Sequence, residues 1–179
     1  MKFDYNNEFK QLLEEKSGKK YFIRESQAKF KIKLFLEKSK GSFSLVNYVD
    51  KCSEVEKLFV DYWAITISYY SMLYAAKAAI LAKGYETDDH YATQIALGAL
   101  LVPSELEKED LELLEQGYKI FEEEYVEYLQ DAHKESNLAR YQAIRKYSER
   151  RVKDIIEKTR KFISKIELVL EGRYWQKEV

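Results

Sequence analysis

Residues that cross-link, break or coordinate are scarce in this chain. Among 179 residues there are one cysteine, one proline, two histidines and six glycines. The lone Cys52 excludes an internal disulfide and suits a reducing compartment. Its sequence neighbours include no histidine, so it reads as an inert thiol and not a nucleophile. Three N or S donors, Cys52, His90 and His133, scattered this widely cannot assemble the roughly four that a zinc site needs. Lys40-Gly41-Ser42 lacks the flanking glycines and the preceding strand of a phosphate loop. The Ser and Thr residues near histidine form no recognisable nucleophile arrangement, and no cofactor or metal is expected. The first residues, Met1 to Asn7, hold no signal-like apolar run. No stretch reaches the roughly 20 apolar residues of a bilayer span. A cytoplasmic protein is expected.

What remains is 46% hydrophobic and 34% charged, with fifteen tyrosines. So few breakers argue for long helices joined by short connections. The length fits one domain with a sizeable core. Its centre is Tyr62 to Ala76, fifteen residues without a charge and apolar on every face. Such a helix must be covered all round, and Asp61 and Lys77 close the run too early for lipid. Ser53 with Glu56 forms a capping box that predicts a helix from Glu54 to Lys83, on the order of 45 Å long. Gly84 supplies its left-handed stop.

Around that rod the periodicity predicts further helices. One covers Asn6 to Lys16. A second runs from about Tyr21 to Lys38 and ends at Lys40-Gly41-Ser42. Ser44 to Cys52 fits a short helix or a packed loop, and no alternation is long enough to argue for a sheet. A short helix over His90 to Leu101 is capped by Asp88 or Asp89. Ser104 and Glu107 form a capping box for an acidic helix reaching about His133. The last helix starts near Ser148, buries Val152, Ile155, Ile156, Thr159, Phe162, Ile163, Ile166 and Val169 or Leu170, and stops at Gly172. No repeat or linker interrupts the chain. The expected fold is all-α: an up-and-down helical bundle of about four to five main helices over 53–179, with an N-terminal helical extension, 1–52, packed on it.

Charge is unevenly spread although the net value is −1. Residues 1–52 carry +5, 53–103 carry −3, 104–135 carry −9 and 136–173 carry +6. Acidic and basic helices can simply pack together, or the basic surface can meet RNA or an acidic partner. His90 beside Asp88 and Asp89 reads as a capped helix start and not a metal pair. His133 after Asp131 likewise reads as structural. Glu122, Glu123, Glu124 and Glu127 lack the Glu-x-x-His partners of a helical di-metal site and read as a solvated face. The remaining candidate is the basic segment from Arg140 to Arg151. It sets Arg140, Arg145, Lys146, Arg150 and Arg151 among Tyr141 and Tyr147. Arginine grips phosphate bidentately and tyrosine stacks on bases.

Tyr69-Tyr70-Ser71-Met72-Leu73-Tyr74-Ala75-Ala76-Lys77-Ala78-Ala79-Ile80-Leu81-Ala82-Lys83-Gly84-Tyr85-Glu86 resembles the tyrosine-rich signature helix of HEPN domains, in their stand-alone prokaryotic branch. Asp89-His90, Ala139-Arg140-Tyr141 and the final helix through Ile155 to Ile163 extend the resemblance over roughly Ser53 to Leu170. The resemblance implies a helical bundle, usually dimeric. Many members are ribonucleases, often toxins paired with a nucleotidyltransferase antitoxin, that use an Arg-x4-6-His motif. Here neither histidine follows an arginine at that spacing. Arg140-x4-Arg145-x-Tyr147 mimics the toxin form with Arg145 in place of histidine. In the other register Ser136 stands for the arginine and Tyr141 for the histidine. Arginine stays charged and cannot exchange protons near neutral pH. The expectation is therefore a dimeric binding module that contacts RNA, a nucleotide or a nucleotidyltransferase-type partner. Its contacts would be Arg140, Tyr141, Arg145, Tyr147, Arg150 and Arg151. The rival is a metal-independent ribonuclease using Arg140, Arg145 and Tyr147; the resemblance to toxin members also offers Tyr147 instead as a target of nucleotide addition.

Overall fold

A computed structural model of the chain describes residues 4–14, 22–102, 104–119 and 149–174. In order they form α1 (Tyr5–Glu14), β1 (Ile23–Glu25), α2 (Phe30–Val49), α3 (Lys57–Ala82), β2 (Tyr85–Thr87) and α4 (His90–Leu100). Helix α5 follows, described over 108–119, and then α6 (Glu149–Tyr174). The architecture is all-α with one small β ladder.

α3 is the axis. It is long and apolar enough to cross a membrane, yet 78% of its most hydrophobic window is buried against the rest of the protein. Ala64, Ala75, Ala76, Ala78 and Ala79 are fully covered, and such small side chains let neighbouring helices approach closely. α2 lies along one side, held by Ser39 Oγ donating to the Ser71 carbonyl at 2.7 Å. α6 presents its expected stripe, with Val152, Ile156, Thr159, Phe162, Ile166 and Leu170 all buried. Cover is not complete on every face, because Trp63 stays 51% exposed.

Several boundaries differ from the expectation for physical reasons. The segment after Tyr21 is not helical; Ile23–Glu25 pairs antiparallel with Tyr85–Thr87, in the register Ile23↔Thr87 and Glu25↔Tyr85. Gly84, at φ +93°, ends α3 as expected and turns the chain back. Its carbonyl then accepts from the Ser26 N–H at 2.8 Å. Three-residue strands are too short to show an alternation. α2 begins at Phe30 and passes through Gly41 to Val49. Gly41 faces open space, so its cost of roughly 1 kcal/mol is offset by inward-facing Ile32, Ser39 and Val46.

α3 starts at Lys57 without the Ser53 capping box, since Glu56 is its N-cap and makes no side-chain cap bond. Lys57 instead bridges to Asp61 at 2.6 Å and Asp50 at 3.8 Å, tying the helix start to the end of α2. The Ser104–Glu107 box is also unformed. Asp110 Oδ2 accepts from the Glu107 N–H at 3.0 Å, and Ser104 Oγ donates to the Leu101 carbonyl. Asp89 caps α4 as expected, accepting from the Ala92 N–H at 2.7 Å. α6 continues past Gly172, which also faces open space.

Two clusters make up the core. The larger joins α1, α3, α4, α5 and α6 around Tyr69, Met72, Ile80, Leu97, Leu111 and Phe162. The smaller joins Val46, Ala64, Ile65, Val152, Ile155 and Ile156 at the end of the bundle where α2 turns into α3 and α6 begins.

Candidate functional site

The smaller core cluster fixes the start of α6. Val152 is buried there against Val46 and Ala64, which turns its predecessors Arg150 and Arg151 out into solvent. Arg150 has no ion-pair partner among the described residues. Arg151 lines a narrow cleft of about 60 Å³ with Met72, Leu113, Gly117, Asp154 and Lys158. Along α6, Lys153–Glu149, Lys158–Asp154 and Arg160–Glu157 pair within the helix. Lys165 reaches across to Glu107 and Asp110. Lys165 thus ties α6 to the start of the acidic helix, while the first turn of α6 holds Arg150 and Arg151 against the single carboxylate of Glu149.

Two exposed aromatic residues stand close in sequence to members of the same cluster. Tyr48, two residues past Val46, is 76% exposed, and Trp63, next to Ala64, is half exposed. The arginines thus edge one end of the bundle, at the start of α6. Of the residues singled out from sequence, Arg150 and Arg151 lie at this edge. Arg140, Tyr141, Arg145 and Tyr147 lie outside the described residues, as do Ser136, His133 and Glu122 to Glu127.

His90 has a different setting. Asp89 caps the helix that His90 begins, as expected, but the ring is also hydrogen-bonded through Nδ1 to the Tyr69 hydroxyl. It stacks against Tyr118 at 5.1 Å and Tyr69 at 5.5 Å. This triple contact pins α4 to α3 and α5. Nothing local in the sequence announces it, because the partners stand 21 residues or more away. Among the described residues no three His, Cys, Asp or Glu side chains converge as metal ligands.

The sequence reading also missed a cavity of about 180 Å³ lined by Arg24, Lys31, Phe35, Lys77, Glu86, Thr87 and Asp88. Glu86 is its hub, accepting from Lys31 at 2.7 Å and from the Arg24 guanidinium at 2.9 Å. Hydrogen bonds from Lys31, then from Arg24, hold the Glu86 carboxyl below the usual range despite burial. Arg24 also donates to Asp88 at 3.2 Å. Burial pushes the Lys77 ammonium below its ordinary value, against the pull of Asp88, Asp89 and Glu86. The one sequence signal was Lys77 itself, a cation closing the uncharged run of the central helix.

No curated protein and no solved structure matches the chain. The family model of the HEPN domain matches residues 59–169, from the first turns of α3 almost to the end of α6. That span contains the buried tyrosine-bearing helix, the capped α4 and the inward stripe of α6, and by it the chain belongs to the HEPN domain family.

Proposed function

We propose that this HEPN protein is a cytoplasmic, dimeric binding module that contacts RNA through the basic edge at the start of α6 and does not cut it. The observation that carries this reading is the pair Arg150 and Arg151, turned into solvent by buried Val152. Guanidinium groups for phosphate and rings for bases are the two elements of single-strand binding. Arg140, Tyr141, Arg145 and Tyr147 are the further contact residues in this reading. The missing Arg-x4-6-His spacing argues against cleavage, since no imidazole accompanies an arginine to move the proton.

The outer face of α2 supports the dimer. Phe30, Leu34, Leu45 and Tyr48 are all exposed there, with Gly41 between them. A twofold axis through Gly41 sets Leu34, seven residues before it, against Tyr48, seven residues after it, in a second copy. An exposed apolar stripe of this kind on a soluble helix marks an interface. Residues 1–52 act as an extension packed on the 53–179 bundle in the same reading. A relation to the stand-alone prokaryotic branch, and to a nucleotidyltransferase-type partner that modifies Tyr147, comes from the resemblance alone.

A denaturing gel of labelled single-stranded RNA incubated with the protein tests the reading against its rival. Intact RNA is expected. Shortened RNA that becomes intact again with Arg140→Ala would make the protein a metal-independent ribonuclease using Arg140, Arg145 and Tyr147.

A further inference from the structure

The cavity between α2, α3 and the β ladder is built from separate parts of the chain. Arg24 comes from β1, Lys31 and Phe35 from α2, Lys77 from α3, and Glu86, Thr87 and Asp88 from β2 and the turn after it. Its volume of about 180 Å³ has room for on the order of ten waters, or for one small organic molecule. All but one of its charged groups are already engaged. Glu86 offers one oxygen to Lys31 and the other to Arg24. The Arg24 fork is spent on Glu86 and Asp88. Thr87 shares its hydroxyl with Thr93 at 2.7 Å. Lys77 alone has no hydrogen bond or ion pair among the described residues.

A half-buried ammonium without a hydrogen-bond partner has lost much of its hydration, and the through-space pull of Asp88, Asp89 and Glu86 does not make up the loss. The lining holds three cations against two carboxylates. Asp89, the third carboxylate that acts on Lys77, is turned to the Ala92 N–H at the start of α4. Lys77 is therefore left without a direct hydrogen-bond acceptor, the three carboxylates acting on it only through space. Its apolar wall is the Phe35 ring, stacked on Tyr74 at 6.4 Å, with Lys38 over the Tyr74 face.

We propose that this cavity is a binding site for a small organic oxyanion, a carboxylate or a phosphate monoester. Its charged group accepts hydrogen bonds from Lys77 Nζ and its carbon skeleton lies on Phe35. The ring and ammonium set the class: an anion too large for the space stays outside, and a neutral ligand leaves Lys77 unpaired. Charge-assisted bonds of this type are stronger than neutral ones, and the oxyanion would stabilise the fold by mass action. The site lies on other elements than the start of α6, so it stands or falls independently of RNA contact.

Thermal unfolding of the full chain, read with inorganic phosphate, glycerol phosphate, acetate and lactate at matched ionic strength, tests the site. A phosphate arm that saturates alone identifies a phosphate ester, and a carboxylate arm that saturates alone identifies an organic acid. At about a hundredfold excess over Kd the expected rise in Tm is on the order of 5–10 °C. Lys77→Met should abolish the rise and Lys77→Gln should weaken the binding at least about tenfold. Lys153→Met, on the exposed face of α6, should leave it unchanged. If Lys77→Met does not fold, Lys77→Gln with calorimetric titration decides alone. No saturable shift in any arm, or an equal affinity in the folded Lys77 variant, would overturn the proposal.

Discussion

Glu86 shows how much a single residue can organise without any signal in its sequence neighbourhood. It joins β2 to both β1 and α2 through Arg24 and Lys31. Its carboxyl is held below the ordinary value of 4.5. The stabilisation is therefore complete above about pH 4.5 and is lost as pH falls through the depressed native value. Arg24 is half exposed, so screening keeps the contribution to on the order of 1 kcal/mol. Melting curves of wild type and Glu86→Gln should differ at pH 7 and draw together as pH falls from about 4.5 through the depressed native value; a gap of constant size across the acid range would contradict the linkage. Gly84 is the opposite case, because a glycine after an apolar run is a stop signal that can be read directly. At φ +93° a side chain is strained, and Gly84→Ala should cost about 1–2 kcal/mol in chemical denaturation. Asp89 and Gly84 were legible since their roles are local. Glu86 and His90 were not, since their partners arrive from elements distant in the chain.

Among the elements, the long apolar stripes were the readable part. The stripe of α6 from Val152 to Leu170 and the all-round apolar α3 dictate their own burial. Helix starts were less legible. Ser53 has the right spacing for a cap, but the tight reversal from α2 into α3 leaves the helix to begin at Lys57 under its ion pairs with Asp50 and Asp61. Gly41 was read as a stop, although packing of Ile32, Ser39 and Val46 carries α2 through it. Another glycine shows packing in the reverse sense. On α4, Gly98 lies under the Tyr5 ring, and an added Cβ would come within 2.6 Å of it. Gly98→Ala should push α1 off α4 and cost about 1–3 kcal/mol. Limited proteolysis should then cut near α1 faster than in wild type, and an unchanged rate and Tm would contradict that docking.

At the scale of the whole molecule, composition and one central helix made the all-α class and the family legible. The edge of Arg150 and Arg151 was legible as charge, but the exposure of Trp63 was not, since it sits in a run that reads as core. The exposed stripe of α2 gives a prediction for assembly. Light scattering should report a dimer for wild type and a monomer for the double change Leu34→Glu and Tyr48→Glu. A wild-type monomer, or a dimer that survives both charges, would place the interface elsewhere or remove it.

The most direct test of the central claim is the salt dependence of single-stranded RNA binding, followed by fluorescence anisotropy with wild type and with Arg150→Ala combined with Arg151→Ala. Each lost phosphate contact should lower the slope of log K against log salt by about 0.7. The account predicts binding of intact RNA and a slope reduced by about 1.4 in the double variant. No binding, or the same slope in both proteins, would contradict it.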